Sequence, residues 1–130
     1  PSDLSRINLT DDKNEILNKI KKAKTDPLPL PNEIKNLIER PEAENLLGIY
    51  SSLKNQKLEN SINEFNGKNF SEFKEKLSEA LTEKIEPISK EIKRLLSDEK
   101  YLDTILLEGS VKADKIASKK IREIKELVGF

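Results

Sequence analysis

The sequence predicts an all-α protein: a helical bundle with one long helix that contains a proline. Three observations support this fold class. The composition is 37% charged, with only four glycines and six prolines among 130 residues, and it favours Glu, Lys, Leu and Ile, which suit a helical domain. Apolar residues recur at the spacing of a helix face. Alternating apolar and polar runs, which are typical of strands, are negligible.

The first helix is predicted to follow a polar, extended or looped segment of ten residues. Asp12 is a suitable N-cap, and Glu15 three residues later completes a capping box. Apolar residues then follow at helical spacing: Ile16, Leu17, Ile20 and Ala23. The helix should end near Lys24, because three alternate prolines in TDPLPLPN remove amide donors and favour extended geometry. Residues 25–33 are therefore predicted to form a rigid connector.

Two shorter helices are predicted in the middle of the chain. Helical spacing resumes at Ile34 and breaks before Pro41, which suits the first turn of the next helix. The buried side of that helix is expected to carry Leu46, Leu47, Ile49, Tyr50 and Leu53. A short helix follows and should end at Asn66–Gly67. Its apolar residues are Leu58, Ile62 and Phe65.

The longest helix is predicted to run from a cap at Ser71 to Leu96, through Pro87. A proline inside a helix costs about 3 kcal/mol or more in an exposed setting. The apolar stripe stays in phase on both sides of Pro87, so one kinked helix is expected rather than two. The stripe consists of Phe73, Leu77, Ala80, Leu81, Ile85, Ile88, Ile92, Leu95 and Leu96.

The end of the chain predicts two further helices. Ser97–Asp98 should start a short helix through Leu107, and a turn is expected at Glu108–Gly109. Ser110 should begin a long amphipathic helix that stops at Gly129. Its apolar side is expected to carry Ala113, Ile116, Ala117, Ile121, Ile124, Leu127 and Val128.

The composition excludes several classes of chemistry. The chain has no cysteine and no histidine, so it offers no disulfide, no thiolate nucleophile and no histidine base. Ser51, Ser52 and Ser118 therefore lack a base to activate them, and a stand-alone enzyme is not expected. Basic and acidic residues balance at 24 each, which argues against sequence-blind nucleic-acid binding but permits a small basic face.

The sequence also bears on location and completeness. No apolar run approaches the ~20 residues that a membrane span needs, and the polar amino end lacks the apolar core of a signal peptide. A cytoplasmic protein without a membrane partner is the expectation. The chain contains no methionine, so a processed, trimmed or partial product is expected.

The candidate nucleic-acid interface is a strip of cations on the last helix, which we call the basic strip. Its residues recur at i, i+3, i+7 and i+10, nearly opposite the apolar side: Lys112, Lys115, Lys119 and Arg122. Such a strip can follow a phosphate backbone, and its long side chains can reach bases. A solvated face with cations near the helix carboxyl end is the alternative, and Glu126 interrupts the strip.

Two groups of cations on the other helices are weaker candidates. The long helix adds an outer set of cations: Lys90, Lys93 and Arg94. These follow an acidic row, Glu75, Glu79, Glu83 and Glu86, and acid early with base late is what helix electrostatics favours without a ligand. A second basic cluster, Lys19, Lys21, Lys22 and Lys24, spreads round the first helix. The helix dipole explains part of that cluster, and a contact with RNA or with another domain is the alternative.

The aromatic residues could stack on splayed bases or pack in the core. Tyr50, Phe65 and Phe73 occupy core-type helical positions, so packing is expected for them. Phe70 follows Gly67 in a turn and Tyr101 begins a helix, so their roles stay open at this point.

Five ordered blocks along residues 1–130 resemble the carboxyl region of bacterial-type tryptophanyl-tRNA synthetases, which are class I enzymes. The last block has the pattern LD.IL..G..KA..IA…..I.E….GF in YLDTILLEGSVKADKIASKKIREIKELVGF. NLLGIYSSL and FNGKNFSEFKEKLSEALTEKIEPI are similar to two helices of the family. IKKAKTDPLPLP and PSDLSRINLTDD resemble the residues that follow its KMSKS-type loop. Each block is weak alone, and the ordered set is specific.

The resemblance implies a role in a larger enzyme. The parent would activate tryptophan with ATP and magnesium and would charge tRNA(Trp), through a Rossmann domain that lies upstream with its HIGH-type and KMSKS-type motifs. Residues 1–10 would lead out of that missing catalytic domain, and residues 11–130 would be the helical domain that recognises the tRNA anticodon. No cofactor site is expected in this part. The family dimerises mainly through the catalytic domain, so the parent is expected to be a homodimer.

A second function class stays open: a non-catalytic helical module for protein interaction or structure, with no RNA ligand. If a catalytic domain has been removed, an apolar patch should be exposed near residues 1–25, larger than ordinary monomers show.

Overall fold

The computed structural model describes residues 2–129, and within that range the chain is an all-α helical bundle with no strand. This confirms the predicted fold class. Five α-helices follow in order: α1 (Lys13–Lys22), α2 (Pro41–Lys54), α3 (Leu58–Phe65), α4 (Phe70–Leu96) and α5 (Glu99–Val128). Two short 3-10 helices, Asp3–Ser5 and Ile34–Leu37, precede α1 and α2.

The chain divides into two compact units, Pro1–Lys90 and Glu91–Phe130. We call them the first and the second unit. Pro1 and Phe130, the outermost residues of the predicted segment 1–10 and the predicted domain 11–130, lie outside the described residues. That predicted division after residue 10 stays a prediction.

The hydrophobic core lies in the first unit, where α1 to α4 and the connector meet. Phe73 and Leu77 of α4 are fully buried at its centre. The Phe73 ring packs edge-on against Phe65 of α3, with 4.8 Å between ring centroids, and against Tyr50 of α2, at 5.9 Å. Packing was the expectation for these three aromatic residues, and their burial confirms it.

Helix α1 begins and ends with specific hydrogen bonds. The carboxylate of Asp12 accepts from the amides of Asn14 and Glu15, and the Glu15 carboxylate accepts from the Asp12 amide, so the predicted capping box is present. At the other end, the Lys74 ammonium of α4 donates to the carbonyl of Ala23 at 2.7 Å. Burial lowers the pKa of Lys74. A helix that the sequence places far away therefore caps α1.

The proline-rich connector is fixed to the bundle by Arg40. Its guanidinium donates to both carboxylate oxygens of Asp26, at 2.9 and 2.8 Å, and to the carbonyl oxygens of Leu28 and Pro29. Two-point pairing of this kind fixes geometry as well as adding energy. Residues 25–33 contain no helix, and these contacts hold the connector against the bundle. Its rigidity stays a prediction.

Helix α4 is continuous through Pro87, as predicted. The proline leaves the carbonyl of Glu83 without its helical partner, and Glu83 is exposed, so water can satisfy that carbonyl. The predicted cap at Ser71 is wrong. The helix starts at Phe70, and the side chain of Asn69 accepts a hydrogen bond from the Glu72 amide at 2.9 Å.

The two helices predicted after Leu96 are a single helix, α5. Asp98 caps it through a hydrogen bond from the Tyr101 amide, and it ends at Gly129 in the left-handed conformation with φ 84°, so both predicted ends are confirmed. The predicted turn at Glu108–Gly109 is wrong. Glycine permits a turn without requiring one, and Gly109 lies inside the helix without a positive φ.

Candidate nucleic-acid interface

The basic strip lies on α5, whose regular geometry aligns its four cations. At 3.6 residues per turn, Lys112, Lys115, Lys119 and Arg122 fall within roughly a quarter of the helix circumference. All four are exposed. The helix that carries the strip begins about three turns earlier than predicted, because the two predicted helices are one. The alignment of the four cations with one another is unchanged.

The cations of the basic strip are free of acidic partners within the described residues. No carboxylate of residues 2–129 lies within 4.0 Å of any of the four. Their neighbour Lys120 contrasts with them, since its ammonium lies 2.7 Å from Glu123. Glu126 falls in the same sector of the helix as the strip. Four unpaired, exposed cations on one helix face can accept an anionic ligand without first breaking an ion pair.

The outer set is mostly neutralised by its own helix. The Lys90 ammonium lies 2.8 Å from Glu86, and the Arg94 guanidinium donates twice to Glu91, at 2.9 and 2.8 Å. These hydrogen bonds lower the pKa of both glutamates. Lys93 has no acidic partner among residues 2–129. Of the three, Lys93 is thus the most available cation, and the role of the set stays a prediction.

The second basic cluster is split by the fold. Lys19 is only 6% exposed, and its ammonium lies 2.7 Å from Asp11 and 3.1 Å from Asp3. These bonds raise the pKa of Lys19, with Asp11 the main cause. Lys24 pairs with Glu42 at 2.9 Å. Lys19 is therefore a buried structural cation that RNA cannot reach.

Most of the candidate aromatic residues cannot stack on bases, because their side chains are buried. Tyr50, Phe65, Phe70 and Phe73 are all buried. Burial, together with the hydrogen bond to Glu64, raises the pKa of Tyr50 to about 12. Tyr101 is 46% exposed at the start of α5 and is the one tyrosine or phenylalanine of residues 2–129 with an accessible ring.

Two further properties of the described residues bear on function. No group of three or more Asp, Glu, His or Cys side chains within residues 2–129 could hold a metal ion. None of the helices there combines the length and the apolar character that crossing a membrane demands.

Among the structural contacts that were not predicted from the sequence, one had a local signal. Asn69 followed by Glu72 has the spacing of an N-terminal capping pattern, so the cap of α4 was readable. The buried pair of Lys19 and Asp11 and the connector clamp of Arg40 had none, because their partners are eight or more residues away.

Comparison with known proteins identifies the relatives of the chain. The tryptophan–tRNA ligase of Rhizobium meliloti is 48% identical over all 130 residues, which are 37% of that protein's length. The tryptophan–tRNA ligase of Agrobacterium fabrum gives the same identity and coverage. That of Rickettsia felis is 46% identical over 129 residues, which are 99% of this chain and 38% of the relative.

The chain is homologous to the C-terminal part of tryptophan–tRNA ligases. It spans little more than a third of the length of these ligases. The resemblance drawn from five sequence blocks is thereby confirmed over the whole chain. No protein-family model matches the sequence.

Proposed function

We propose that these residues are the tRNA-binding helical part of a tryptophan–tRNA ligase and that the basic strip of α5 contacts the anticodon region of tRNA(Trp). The observation that carries this proposal is the homology of 43–48% identity along the entire chain. The unpaired, exposed state of Lys112, Lys115, Lys119 and Arg122 supports the assignment of the strip. Lys93, with Lys90 and Arg94, is the proposed outer contact.

The mechanism is positional. The basic strip would hold phosphates along one side of the anticodon stem and loop, and its long side chains would reach nearby base edges. A zero net charge disfavours indiscriminate binding, so a few oriented contacts would select the tRNA. Binding energy at the anticodon would place the acceptor end at an active site in the rest of the parent protein.

The chemistry would belong to the rest of the parent. ATP, its magnesium ion and tryptophan would bind upstream, in a Rossmann domain that would also form the homodimer. The described residues do not fit such a site, since residues 2–129 present no cluster able to hold a metal ion and the sequence has no glycine-rich phosphate loop. No catalytic step is therefore assigned to them.

The test replaces all four strip cations by glutamine in the full-length parent. We expect kcat/KM for tRNA charging to fall roughly tenfold or more, because phosphate contacts are lost. Tryptophan-dependent pyrophosphate exchange, which needs no tRNA, should stay within about twofold. The slope of log affinity against log salt should become shallower by roughly three if all four contact phosphates.

The matched control removes four exposed cations elsewhere: Lys54, Lys57, Lys76 and Lys84 to glutamine. Net charge changes equally, so a loss of charging in both variants would indicate long-range electrostatics rather than a contact. Loss of charging and exchange together, or of neither, in the strip variant would contradict the proposal.

The exposed apolar side of α5 favours a second candidate, a helical interaction module. Leu106, Ile116 and Leu127 are 70%, 70% and 86% exposed, and an amphipathic helix ordinarily buries such residues. An interaction module predicts that the strip variant charges tRNA normally, whereas substitutions on the apolar side change assembly. Charging assays and light scattering on the same variants separate the two candidates.

A further inference from the structure

The face of α5 that carries the basic strip extends toward the amino end of the helix as far as Tyr101. Tyr101 and Lys119 are 18 residues apart, which is about five full turns and roughly 27 Å along the helix axis. Lys112 follows Tyr101 by about three turns. The tyrosine ring and the cations therefore share one sector of a single helix, and all of them belong to the second unit.

The Tyr101 ring makes no specific contact within the described residues. It is 46% exposed, no aromatic ring or cation of residues 2–129 lies against it, and its hydroxyl has no hydrogen-bond partner there. Tyr50 contrasts with it, since that ring packs 5.0 Å from Phe65 and its hydroxyl donates to Glu64 at 2.9 Å. Tyr101 can therefore stack on a ligand without breaking a contact of the protein.

The side chains between Tyr101 and the basic strip suit bases better than phosphates. Thr104 and Glu108 fall in the same sector of α5, and both are exposed. No ammonium or guanidinium of residues 2–129 lies within 4.0 Å of the Glu108 carboxylate. A free carboxylate repels phosphate, but it can accept a hydrogen bond from the exocyclic amino group of a base. The face thus carries base-binding groups in its amino half and phosphate-binding cations in its carboxyl half.

We infer that Tyr101 stacks on an unpaired base of the anticodon loop while the basic strip holds phosphates of the same stem and loop. Aromatic side chains are the usual platform for a splayed RNA base, and stacking accepts any base because each has a π face. Tyr101 orients the loop, and Glu108 favours a neighbouring base that has an amino group. The inference rests on the proposed function, since the strip must hold the stem for a base to reach the ring.

Substitutions of Tyr101 in the full-length parent test the stacking. Tyr101→Ala should raise the Kd for tRNA(Trp) by about fivefold to a hundredfold. Tyr101→Phe keeps the ring and should stay within about twofold, whereas Tyr101→Leu should behave like Tyr101→Ala. The cap of α5 survives each change, because Asp98 accepts from the Tyr101 backbone amide. Leu106→Ala is the matched control, since Leu106 is 70% exposed on the opposite side of α5.

A double-mutant cycle shows whether the ring meets a base. A tRNA(Trp) with an abasic nucleotide at one unpaired position of the anticodon loop is prepared for each position in turn. At one position, wild-type protein and Tyr101→Ala should bind the abasic tRNA with Kd values within about twofold, because the ring and that base act as a pair. The same loss with every abasic tRNA would mean a purely structural role for Tyr101 and would overturn the inference.

Salt dependence separates failure of this inference from failure of the proposed function. Stacking releases no counterions, so Tyr101→Ala should leave the slope of log affinity against log salt unchanged, whereas the strip variant should make it shallower. A weakened strip variant beside a normal Tyr101→Ala would overturn the stacking alone. Equal losses in Tyr101→Phe and Tyr101→Ala would also overturn it. Normal affinity of the strip variant would overturn the proposed function, and the stacking with it.

Discussion

The two compact units differ in what their apolar stripes contact. The first unit contains every buried hydrophobic residue of the described range, sixteen in all, from Ile16 to Ile85. The second unit contains none, although α5 carries apolar side chains at the same helical spacing as α4. The contrast teaches that periodicity tells which side of a helix can be buried, whereas burial itself requires a neighbour.

The same contrast occurs within one helix. The stripe of α4 is buried from Phe73 to Ile85, whereas Ile88 is 44% and Leu96 63% exposed. The sequence predicted one unbroken stripe, and the helix is unbroken, but its burial ends near the boundary between the units. Stability should therefore depend on the first unit, and substitutions can test this.

The largest expected effect comes from a pair of matched leucine substitutions. Leu77→Ala, at a fully buried position of α4, should cost about 2–5 kcal/mol of unfolding free energy, because it leaves a cavity. Leu106→Ala, at a 70% exposed position of α5, should change stability by less than about 0.5 kcal/mol. Urea unfolding of each variant measures both. Equal costs would mean that α5 packs against something in solution.

A smaller effect is expected from one substitution made at two glycines. Gly109→Ala should stabilise α5 by about 0.5–1 kcal/mol, because the glycine lies inside a helix and an added methyl meets nothing within 4 Å. Gly67→Ala should destabilise the first unit by about 1–2 kcal/mol, since Gly67 has φ 70°. Circular dichroism measures the helicity of each variant, and thermal unfolding measures whether its stability rises or falls. If Gly109→Ala instead destabilises the protein, that result would contradict a continuous helix and support the predicted turn at Glu108–Gly109.

The smallest expected effect compares the two helix caps. Asn69→Ala removes the cap of α4 and should lower global stability by about 1 kcal/mol. Asp98→Ala removes the equivalent bond in α5. It should speed amide exchange in the first turn of α5 without moving the main unfolding transition, because α5 contributes no buried residue. Ser71→Ala, at the cap that the sequence predicted, is the control and should be nearly neutral.

Much of the local structure could be predicted because it depends on neighbours within one helical turn. The capping box at Asp12, the proline at the start of α2 and the glycine after α5 were all readable. The basic strip was readable for the same reason, since its alignment follows from 3.6 residues per turn. The continuity of α5 through Gly109 was not readable, because glycine is compatible with both a turn and a helix interior.

The sequence by itself determined the fold class, most helix ends, the alignment of the basic strip and the relationship to the ligases. Tertiary structure alone decided that Lys19 is buried rather than available to RNA, that Arg40 clamps the connector and that Lys74 caps a helix 51 residues away. The physical reason is the separation along the chain between the residues that interact. Caps and faces are set by residues three or four apart, whereas burial and ion pairing depend on segments that only folding brings together.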